Sequence, residues 1–175
     1  NTGNKLKLLW VGRFTDIKDP AYAIKVIEEL EKLSPGKFEL NMVGGGELFE
    51  ISKKSAHKLP TSVSGWVDKP FENSGHFDLL LLTSKNEGMG LVMLEAAHYR
   101  KPTIARNVGG VGEFIADGVN GLLIDGGPAE MASKINSLKI ESLIKMGEAS
   151  YQILVKDFTD KVMANNYLNL YKSLV

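Results

Sequence analysis

Short apolar runs that stop at glycine turns, each followed by a segment with helical spacing, are the dominant feature of this sequence. The first run, Leu6–Val11, ends at Gly12, and the second, Phe38–Val43, ends at three consecutive glycines. Between them, Asp19 is suited to cap a helix that begins at Pro20, because apolar residues then recur at helical spacing. This alternation favours a parallel sheet with helices on both faces.

The same alternation continues to the end of the chain. The further elements that we predict are a helix at 47–58, a strand at 63–66, a strand at 77–82, a helix at 91–99, strands at 102–105 and 121–124, and helical structure from 128 onward. The predicted fold class is α/β, with a Rossmann-like, doubly wound parallel sheet in three α/β/α layers. We predict one domain over residues 6–175, preceded by a linker at residues 1–5. Ligands of such sheets bind beyond the carboxyl ends of the strands, so the glycine turns are the candidate sites.

Composition excludes several classes of protein. Lys plus Arg and Asp plus Glu number 21 each, and this zero net charge argues against a nucleic-acid partner. The absence of cysteine excludes disulfides, thiolate catalysis and cysteine zinc sites, and it agrees with a cytoplasmic location. The longest apolar stretches, such as Leu79–Leu82, are far too short to span a bilayer.

The turn after the first strand carries two cations. Arg13 follows Gly12 directly, and Lys18 lies five residues further along the same loop. Such a pair can flank a diphosphate, with arginine as a planar fork and lysine as a point charge. Two solvated loop cations would give the same sequence, so this pair alone does not decide the function.

The turn after the second strand is Gly44-Gly45-Gly46. Glycines between a strand and a helix let the backbone approach a ligand, and the helix N-terminus attracts anions. A dinucleotide-binding fingerprint would place a glycine at position 49, where Phe49 stands, and this argues against an oxidoreductase. A plain tight turn is the alternative interpretation.

A third turn contains two glutamates, Glu87 and Glu95, separated by seven residues that include a glycine-rich helix start. We expect both carboxylates to accept hydrogen bonds from sugar hydroxyls. Because Leu94, Ala96 and Ala97 surround Glu95, we predict a crowded setting with hydroxyl or cationic partners for its carboxylate rather than exposure to solvent. The backbone amides that we expect to receive phosphate oxygens at the positive end of the helix dipole belong to Gly88, Met89, Gly90, Leu91 and Val92.

These segments, taken in order, resemble the C-terminal domain of retaining glycosyltransferases of the GT-B fold, in the group 1 family (glycosyltransferase family 4). The resemblance runs from about residue 6 to the end of the chain. The matching residues are Val11-Gly12-Arg13 with Lys18, Gly44-Gly45-Gly46, Glu87 with Glu95, Glu95-Ala96 with Lys101-Pro102, Gly109-Gly110 with Glu113, and Asp117-Gly118-Val119-Asn120-Gly121. Each motif is weak alone, but six in the same order are specific.

The resemblance implies a role for each candidate residue. Arg13 and Lys18 would bind the donor diphosphate and stabilise the charge that grows on the leaving nucleotide. Glu87 would hold hydroxyls of the transferred sugar, and Glu95 those of the ribose. Further donor contacts are implied at Gly12, Gly44 and Gly46, and the base would lie against Gly65, Trp66 and Val67. Trp66 either stacks on the base or packs in the core.

The resemblance also implies the activity. It is the transfer of a hexosyl group from a UDP-sugar or GDP-sugar to a saccharide or lipid acceptor, in polysaccharide biosynthesis. No Asp-x-Asp triplet occurs, whereas glycosyltransferases of the other common fold hold a metal with it, so we expect neither a metal nor a cofactor. The alternative is a non-catalytic nucleotide-binding or scaffolding module on the same fold. A phosphorylase or a nucleotide-sugar epimerase on this fold is a third, less favoured interpretation.

Members of this family have two similarly sized domains, and this chain begins at the first strand of the C-terminal one. We therefore expect the missing N-terminal domain to be a partner that carries the acceptor site. Peripheral membrane contact at the inner face would come through that half. The chain by itself is expected to bind donor and to transfer nothing.

Three positions depart from the family pattern. Gly112 stands where proline is usual, and Arg100 stands where a glycine commonly ends the helix. Arg100 is therefore predicted to adopt a left-handed conformation at a cost of about 1 kcal/mol. His98 occupies a position that is usually small and apolar, and we predict a partly buried, structural histidine there.

Overall fold

The computed structural model describes residues 5–174, in which strands and helices alternate. The strands are β1 (Leu6–Val11), β2 (Phe38–Val43), β3 (Thr61–Ser64), β4 (Leu79–Leu82), β5 (Thr103–Arg106) and β6 (Gly121–Ile124). The helices are α1 (Pro20–Leu33), α2 (Phe49–Ala56), α3 (Pro70–Asn73), α4 (Leu91–His98), α5 (Val111–Phe114), α6 (Pro128–Ser137), α7 (Ile140–Asp157) and α8 (Asp160–Ser173).

The six strands form one parallel sheet in the order β3-β2-β1-β4-β5-β6. β1 pairs with β2 along its whole length, from Leu6 opposite Phe38 to Val11 opposite Val43, and its other edge pairs with β4. The chain therefore winds outward in one direction from β1 and in the other direction from β4. The predicted doubly wound α/β fold is confirmed.

Alternating side chains of the sheet fill a core on each face. In β4, Leu79 and Leu81 belong to the cluster that packs against α1 and α6, whereas Leu80 and Leu82 contact α4. All four leucines are buried, as a central strand covered on both faces requires. Each contributes about 2 kcal/mol relative to an exposed position. These two cores fix the sheet that carries the loops at its carboxyl edge.

Most predicted elements are present, and their ends differ where a local cap decides them. The cap predicted for α1 is confirmed, since the Asp19 carboxylate accepts a hydrogen bond from the Tyr22 amide at 3.1 Å. The helix predicted at 47–58 is shorter, β3 begins two residues before the predicted strand, and β4 begins at Leu79 rather than at residue 77. The short helices α3 and α5 had not been predicted. The predicted linker at residues 1–5 lies almost entirely outside the described residues.

The helical region after residue 128 is not continuous. It divides into α6, α7 and α8, and the last of these begins where the Thr159 hydroxyl accepts a hydrogen bond from the Val162 amide. α8 has no buried residue, in contrast to α7, which buries Leu143 and Ser150. The sheet and its cores are therefore complete without α8.

One side-chain prediction on this framework is wrong, one of two alternatives is excluded, and one prediction is confirmed. Trp66 is 83% exposed, which excludes the core alternative for this residue. His98 is also exposed, because the preceding residue Ala97 takes the core-facing position on α4. Arg100 does adopt a left-handed conformation, with φ 53°. Its guanidinium group lies 4.0 Å from the ring centroid of Tyr151, a contact that offsets the strain.

Candidate functional site

The candidate site lies where β1 and β4 end side by side at the carboxyl edge of the sheet. The chain leaves β1 toward one side of the sheet and β4 toward the other, so the loops that follow them enclose a crevice between diverging connections. Crevices of this kind are the usual ligand sites of open α/β sheets. The β1–α1 loop brings Arg13 and Lys18 to this crevice, and the β4–α4 loop brings Glu87.

The centre of the crevice is an ion pair between the Lys18 ammonium group and Oε1 of Glu87. The Ser84 hydroxyl donates to the same oxygen at 2.7 Å. The Glu87 side chain is only 8% exposed, against 27% for Lys18. Oε2 of Glu87 accepts no hydrogen bond from residues 5–174, so one carboxylate oxygen is available to a ligand hydroxyl.

Arg13 lies in the β1–α1 loop, two residues after the end of β1. Its side chain is exposed and makes no ion pair or hydrogen bond within the described part of the chain. The next residue, Phe14, is fully buried between the rings of Trp10 and Phe49, at centroid distances of 4.8 Å and 5.2 Å. This buried phenylalanine anchors the backbone, so the guanidinium group of Arg13 extends from a fixed point.

The start of α4 faces the crevice with unsatisfied backbone donors. Gly90 caps the helix in a left-handed conformation, with φ 69°, and no side chain accepts a hydrogen bond from the first turn. Within the described residues, the backbone amides of 88–92 donate to no acceptor. Such a helix start attracts anions through its free N–H groups and its dipole.

The glycines of the second turn are required by the packing of one loop on another. A Cβ atom at Gly44 would overlap the carbonyl oxygen of Gly12, and one at Gly46 would lie 2.5 Å from the carbonyl oxygen of Phe14. Both glycines have positive φ, at 142° and 150°. Their demonstrated role is therefore to let this turn support the β1–α1 loop.

Gly109 and Gly110 support the other loop in the same way. The Gly110 amide donates to the carbonyl oxygen of Glu87 at 2.9 Å, and a Cβ atom at Gly109 would overlap that same oxygen. A Cβ atom at Gly110 would overlap the carbonyl oxygen of Gly88. These contacts explain why a Gly-Gly pair so far along the chain accompanies the glutamate motif.

Glu95 lies one turn into α4 and is exposed, with no hydrogen-bond partner in the described chain, so the prediction of a crowded setting is wrong. The reason is helical geometry, because Ala96 and Ala97 turn to the core and leave Glu95 on the outer face. Neighbouring atoms still remove part of its hydration and raise the pKa of its carboxyl group. Its side chain lines a cleft of about 230 Å³ between α3 and α4, together with His98 and Tyr99.

The segment 65–67 leaves β3 at the same edge of the sheet. The Gly44 amide lies within hydrogen-bond distance of the carbonyl oxygens of Ser64 and Gly65, which ties this segment to the second turn. The chain then continues to α3, where Phe71 stacks on Tyr99 at 6.1 Å. Segment 65–67 thus leads directly to the cleft that Glu95 lines.

Thr83 belongs to the candidate site and was not predicted from the sequence. Its hydroxyl accepts a hydrogen bond from the Trp10 indole at 2.9 Å and lies 3.0 Å and 3.1 Å from the carbonyl oxygens of Lys18 and Asp19. It thereby joins the end of β4 to the β1–α1 loop. The available signal was the change from four leucines to the hydroxyl pair Thr83-Ser84 immediately before the glutamate motif.

Two of the predictions concern metal binding and membrane contact. Between residues 5 and 174, no three His, Asp or Glu side chains are grouped as metal ligands would be. No helix in that range combines the length and apolar character needed to cross a bilayer. Metal independence and peripheral membrane contact stay predictions.

Comparison with known proteins identifies relatives along the whole chain. The family model described as glycosyl transferases group 1 matches residues 1–152. An uncharacterized 41.2 kDa protein in the cps region of Klebsiella pneumoniae is 33% identical over 175 residues, covering 97% of this chain and 47% of that protein. The O-antigen biosynthesis glycosyltransferase WbnH of Escherichia coli is 30% identical over 170 residues, covering 97% of this chain and 46% of that protein. The chain thus spans about half the length of these relatives.

Solved structures share the fold. A complex of an S. aureus TarM variant with fondaparinux, alpha-GlcNAc-glycerol and UDP has a TM-score of 0.87 at 23% identity, covering 95% of this chain and 35% of that one. The C-terminal domain of a glycosyl transferase group 1 family protein (LpcC) from Francisella tularensis has a TM-score of 0.72 at 19% identity, covering 89% of this chain and 87% of that domain. With the family match over most of the sequence, the chain belongs to the group 1 glycosyltransferases and has the fold of their C-terminal domain.

Proposed function

We propose that this chain is the donor-binding domain of a retaining glycosyltransferase that takes a hexosyl group from a UDP-sugar or GDP-sugar. The observation that carries this proposal is the Lys18–Glu87 ion pair, which lies beside the unsatisfied amides of α4 at the crevice between β1 and β4. Cationic groups and backbone donors suit a diphosphate, and the carboxylate suits the hydroxyls of a sugar.

Lys18 and Arg13 would hold the diphosphate together. A diphosphate carries more negative charge than one carboxylate, so it competes with Glu87 for the Lys18 ammonium group. Arg13, which is exposed and has no partner in the described chain, would approach the same anion as a fork. As the bond to the sugar breaks, negative charge grows on the leaving nucleotide, and these fixed cations stabilise it.

Glu87 would orient the transferred sugar. Its Oε2 atom is open to a hydroxyl, while Oε1 is held by the Ser84 hydroxyl even when Lys18 turns toward the phosphates. A buried carboxylate with one oxygen anchored is a preorganised acceptor, so little free energy is lost in ordering it at the moment of binding.

Glu95 and Trp66 would bind the nucleoside. The outer face of α4 presents the Glu95 carboxylate to the cleft beside α3, within reach of ribose hydroxyls of a nucleotide whose phosphates lie at the start of the same helix. The indole of Trp66 is exposed, and aromatic faces stack on nucleobases. The UDP in the TarM complex supports UDP as the first nucleotide to test.

The rest of the enzyme would supply the acceptor. Because the chain spans about half of its relatives, we propose that a second domain completes the crevice and that the chain by itself transfers no sugar. The O-antigen glycosyltransferase among its relatives supports a role in polysaccharide assembly.

Ligand-observed NMR on the chain with UDP, GDP and ADP tests this proposal. We expect saturation transfer to one nucleotide, and its loss in both Arg13→Ala and Lys18→Ala. Lys32→Ala is the matched control, because Lys32 also pairs with a glutamate but lies in the last turn of α1, at the opposite edge of the sheet. Binding that survives both site substitutions, or that Lys32→Ala removes equally, contradicts the proposal.

A further inference from the structure

We propose that Arg106 is a positioning residue of the donor site, which fixes the β1–α1 loop so that Lys18 lies beside Glu87. This inference rests on the proposed function, in which Lys18 binds the diphosphate. Arg106 is the last residue of β5 and had no part in the sequence motifs. Its neighbours connect it to Lys18 through two routes.

The first route runs through Asp19. Nη1 of Arg106 lies 3.3 Å from Oδ2 of Asp19, and the guanidinium carbon lies 4.8 Å from the ring centroid of Tyr22. The two charged side chains are 26% and 19% exposed. An ion pair that is this far removed from water resists screening by salt and holds its geometry better than a surface pair does.

Asp19 needs this support because its backbone is strained. It adopts a left-handed conformation, with φ 49° and ψ 60°, at a cost of about 1 kcal/mol for a residue other than glycine. Its Oδ1 atom accepts the hydrogen bond that caps α1, so the carboxylate is held from both sides. Lys18 directly precedes Asp19, and its backbone therefore depends on this arrangement.

The second route runs through Thr83. The same Nη1 atom donates to the carbonyl oxygen of Thr83 at 3.2 Å, while the Thr83 hydroxyl lies at hydrogen-bond distance from the carbonyl oxygens of Lys18 and Asp19. Arg106 thus ties the end of β5 to the end of β4 and, through it, to the backbone of Lys18. Its bonds go to protein groups, so it acts on a ligand through Lys18.

Three variants test this role. Arg106→Met removes the charge and the planar group, and Arg106→Lys keeps the charge without the planar stack. Arg100→Met is the matched control, since Arg100 also pairs with a carboxylate, Glu148, and lies over a tyrosine, but follows the far end of α4.

Two quantities are measured on the whole chain: the dissociation constant for UDP, and the hydrogen-exchange rates of two amides. The Tyr22 amide donates to Asp19, and the Lys85 amide donates to the Ile17 carbonyl oxygen, so both report on the β1–α1 loop. We expect Arg106→Met to weaken UDP binding about tenfold and to speed both exchange rates, because a misplaced ligand group forfeits its binding energy. Arg106→Lys is expected to lie between Arg106→Met and the unaltered chain, and Arg100→Met to leave both quantities unchanged.

Any outcome other than the expected one overturns the inference. If both exchange rates are unchanged in Arg106→Met, the loop does not depend on Arg106. If UDP binding is weaker although the exchange rates are unchanged, Arg106 contacts the nucleotide directly. Faster exchange with unchanged UDP affinity shows a role in stability alone. If the unaltered chain binds no nucleotide, the proposed function fails and the positioning role with it. A failure confined to the Arg106 comparison leaves the proposed function standing.

Discussion

The chemistry of single residues in the crevice depends on how much of their hydration the fold removes. Glu87 is a charged side chain that is only 8% exposed, and its bonds from Lys18 and Ser84 replace part of the hydration that it loses. Glu95, eight positions later on an outer face, is exposed and has no such bond in the described chain, although neighbouring atoms remove part of its hydration and raise the pKa of its carboxyl group. The two glutamates of one motif therefore meet opposite conditions.

The raised pKa of Glu95 predicts how stability depends on pH. A carboxyl group whose pKa is higher in the folded chain than in the unfolded chain favours folding while it is protonated, and this contribution is lost as the pH rises through the folded pKa. The side chain in Glu95→Gln cannot ionise. As the pH rises through the folded pKa of Glu95, the free energy of unfolding of Glu95→Gln is therefore expected to increase relative to that of the unaltered chain. Urea denaturation across the pH range measures this, with Glu50→Gln on the exposed face of α2 as the matched control.

UDP binding should depend on pH in the opposite sense. If the ionised carboxylate accepts hydrogen bonds from the ribose, UDP affinity falls as the pH is lowered through the raised pKa of Glu95. This decline should be weaker in Glu95→Gln. An identical pH dependence in both proteins would contradict the ribose contact, whereas the stability prediction would be unaffected.

The loops are the elements that bring the site together, and their glycines decide how closely they pack. The turn at Gly44 and Gly46 lies against the backbone of Gly12 and Phe14, while Gly109 does the same for the β4–α4 loop. These positions therefore require glycine for the close packing of the loops more than for flexibility toward a ligand. Each crowded glycine leaves room for a neighbouring carbonyl oxygen.

A matched pair of substitutions in one turn checks this. Gly44→Ala places a Cβ atom on the Gly12 carbonyl oxygen at a φ of 142°, so we expect a loss of about 2–4 kcal/mol in the free energy of unfolding. Gly45→Ala, one residue later, finds no atom within 4 Å and should change stability by less than about 0.5 kcal/mol. Chemical denaturation compares them, and equal effects would refute the packing explanation.

Across the whole molecule, the sheet and its two cores form one unit, to which α8 adds little. Phe158, just before α8, still packs on Phe114 at a centroid distance of 5.2 Å, whereas no residue of α8 is buried. Its exposed apolar side chains, among them Tyr167 and Leu170, line a groove of about 590 Å³ beside Met89 at the start of α4. We therefore expect the fold of the rest of the chain not to require α8.

Removal of residues 160–175 is therefore expected to leave the domain folded. The melting temperature should change by less than about 4 °C, because the buried core is untouched. A second truncation, which removes residues 140–175, takes away the buried Leu143 and Ser150 as well and should abolish the cooperative transition. Thermal circular dichroism distinguishes the two variants. A large decrease in the melting temperature on removal of residues 160–175 alone would show that α8 belongs to the core.

The sequence determined the fold class and the order of its elements. Strand β1, strand β2 and strand β6 were predicted with their observed bounds, because apolar runs and their glycine stops are local signals. Arg13, Lys18 and Glu87 were predicted as site residues, and this role stays a prediction, although the structure does join Lys18 and Glu87 in an ion pair. The loops that carry them were expected at one edge because the carboxyl ends of parallel strands meet there, which the alternation of elements already implies.

Only the tertiary structure decided which partners these residues have. The Lys18–Glu87 ion pair, the contacts of Thr83 and the two bonds of Arg106 join residues that lie 23 to 87 positions apart in the chain. The exposure of Trp66 likewise depends on what packs around it in space and not on its neighbours in sequence. Hydration and hydrogen bonding are set by atoms adjacent in space, and the local sequence pattern carries no record of them.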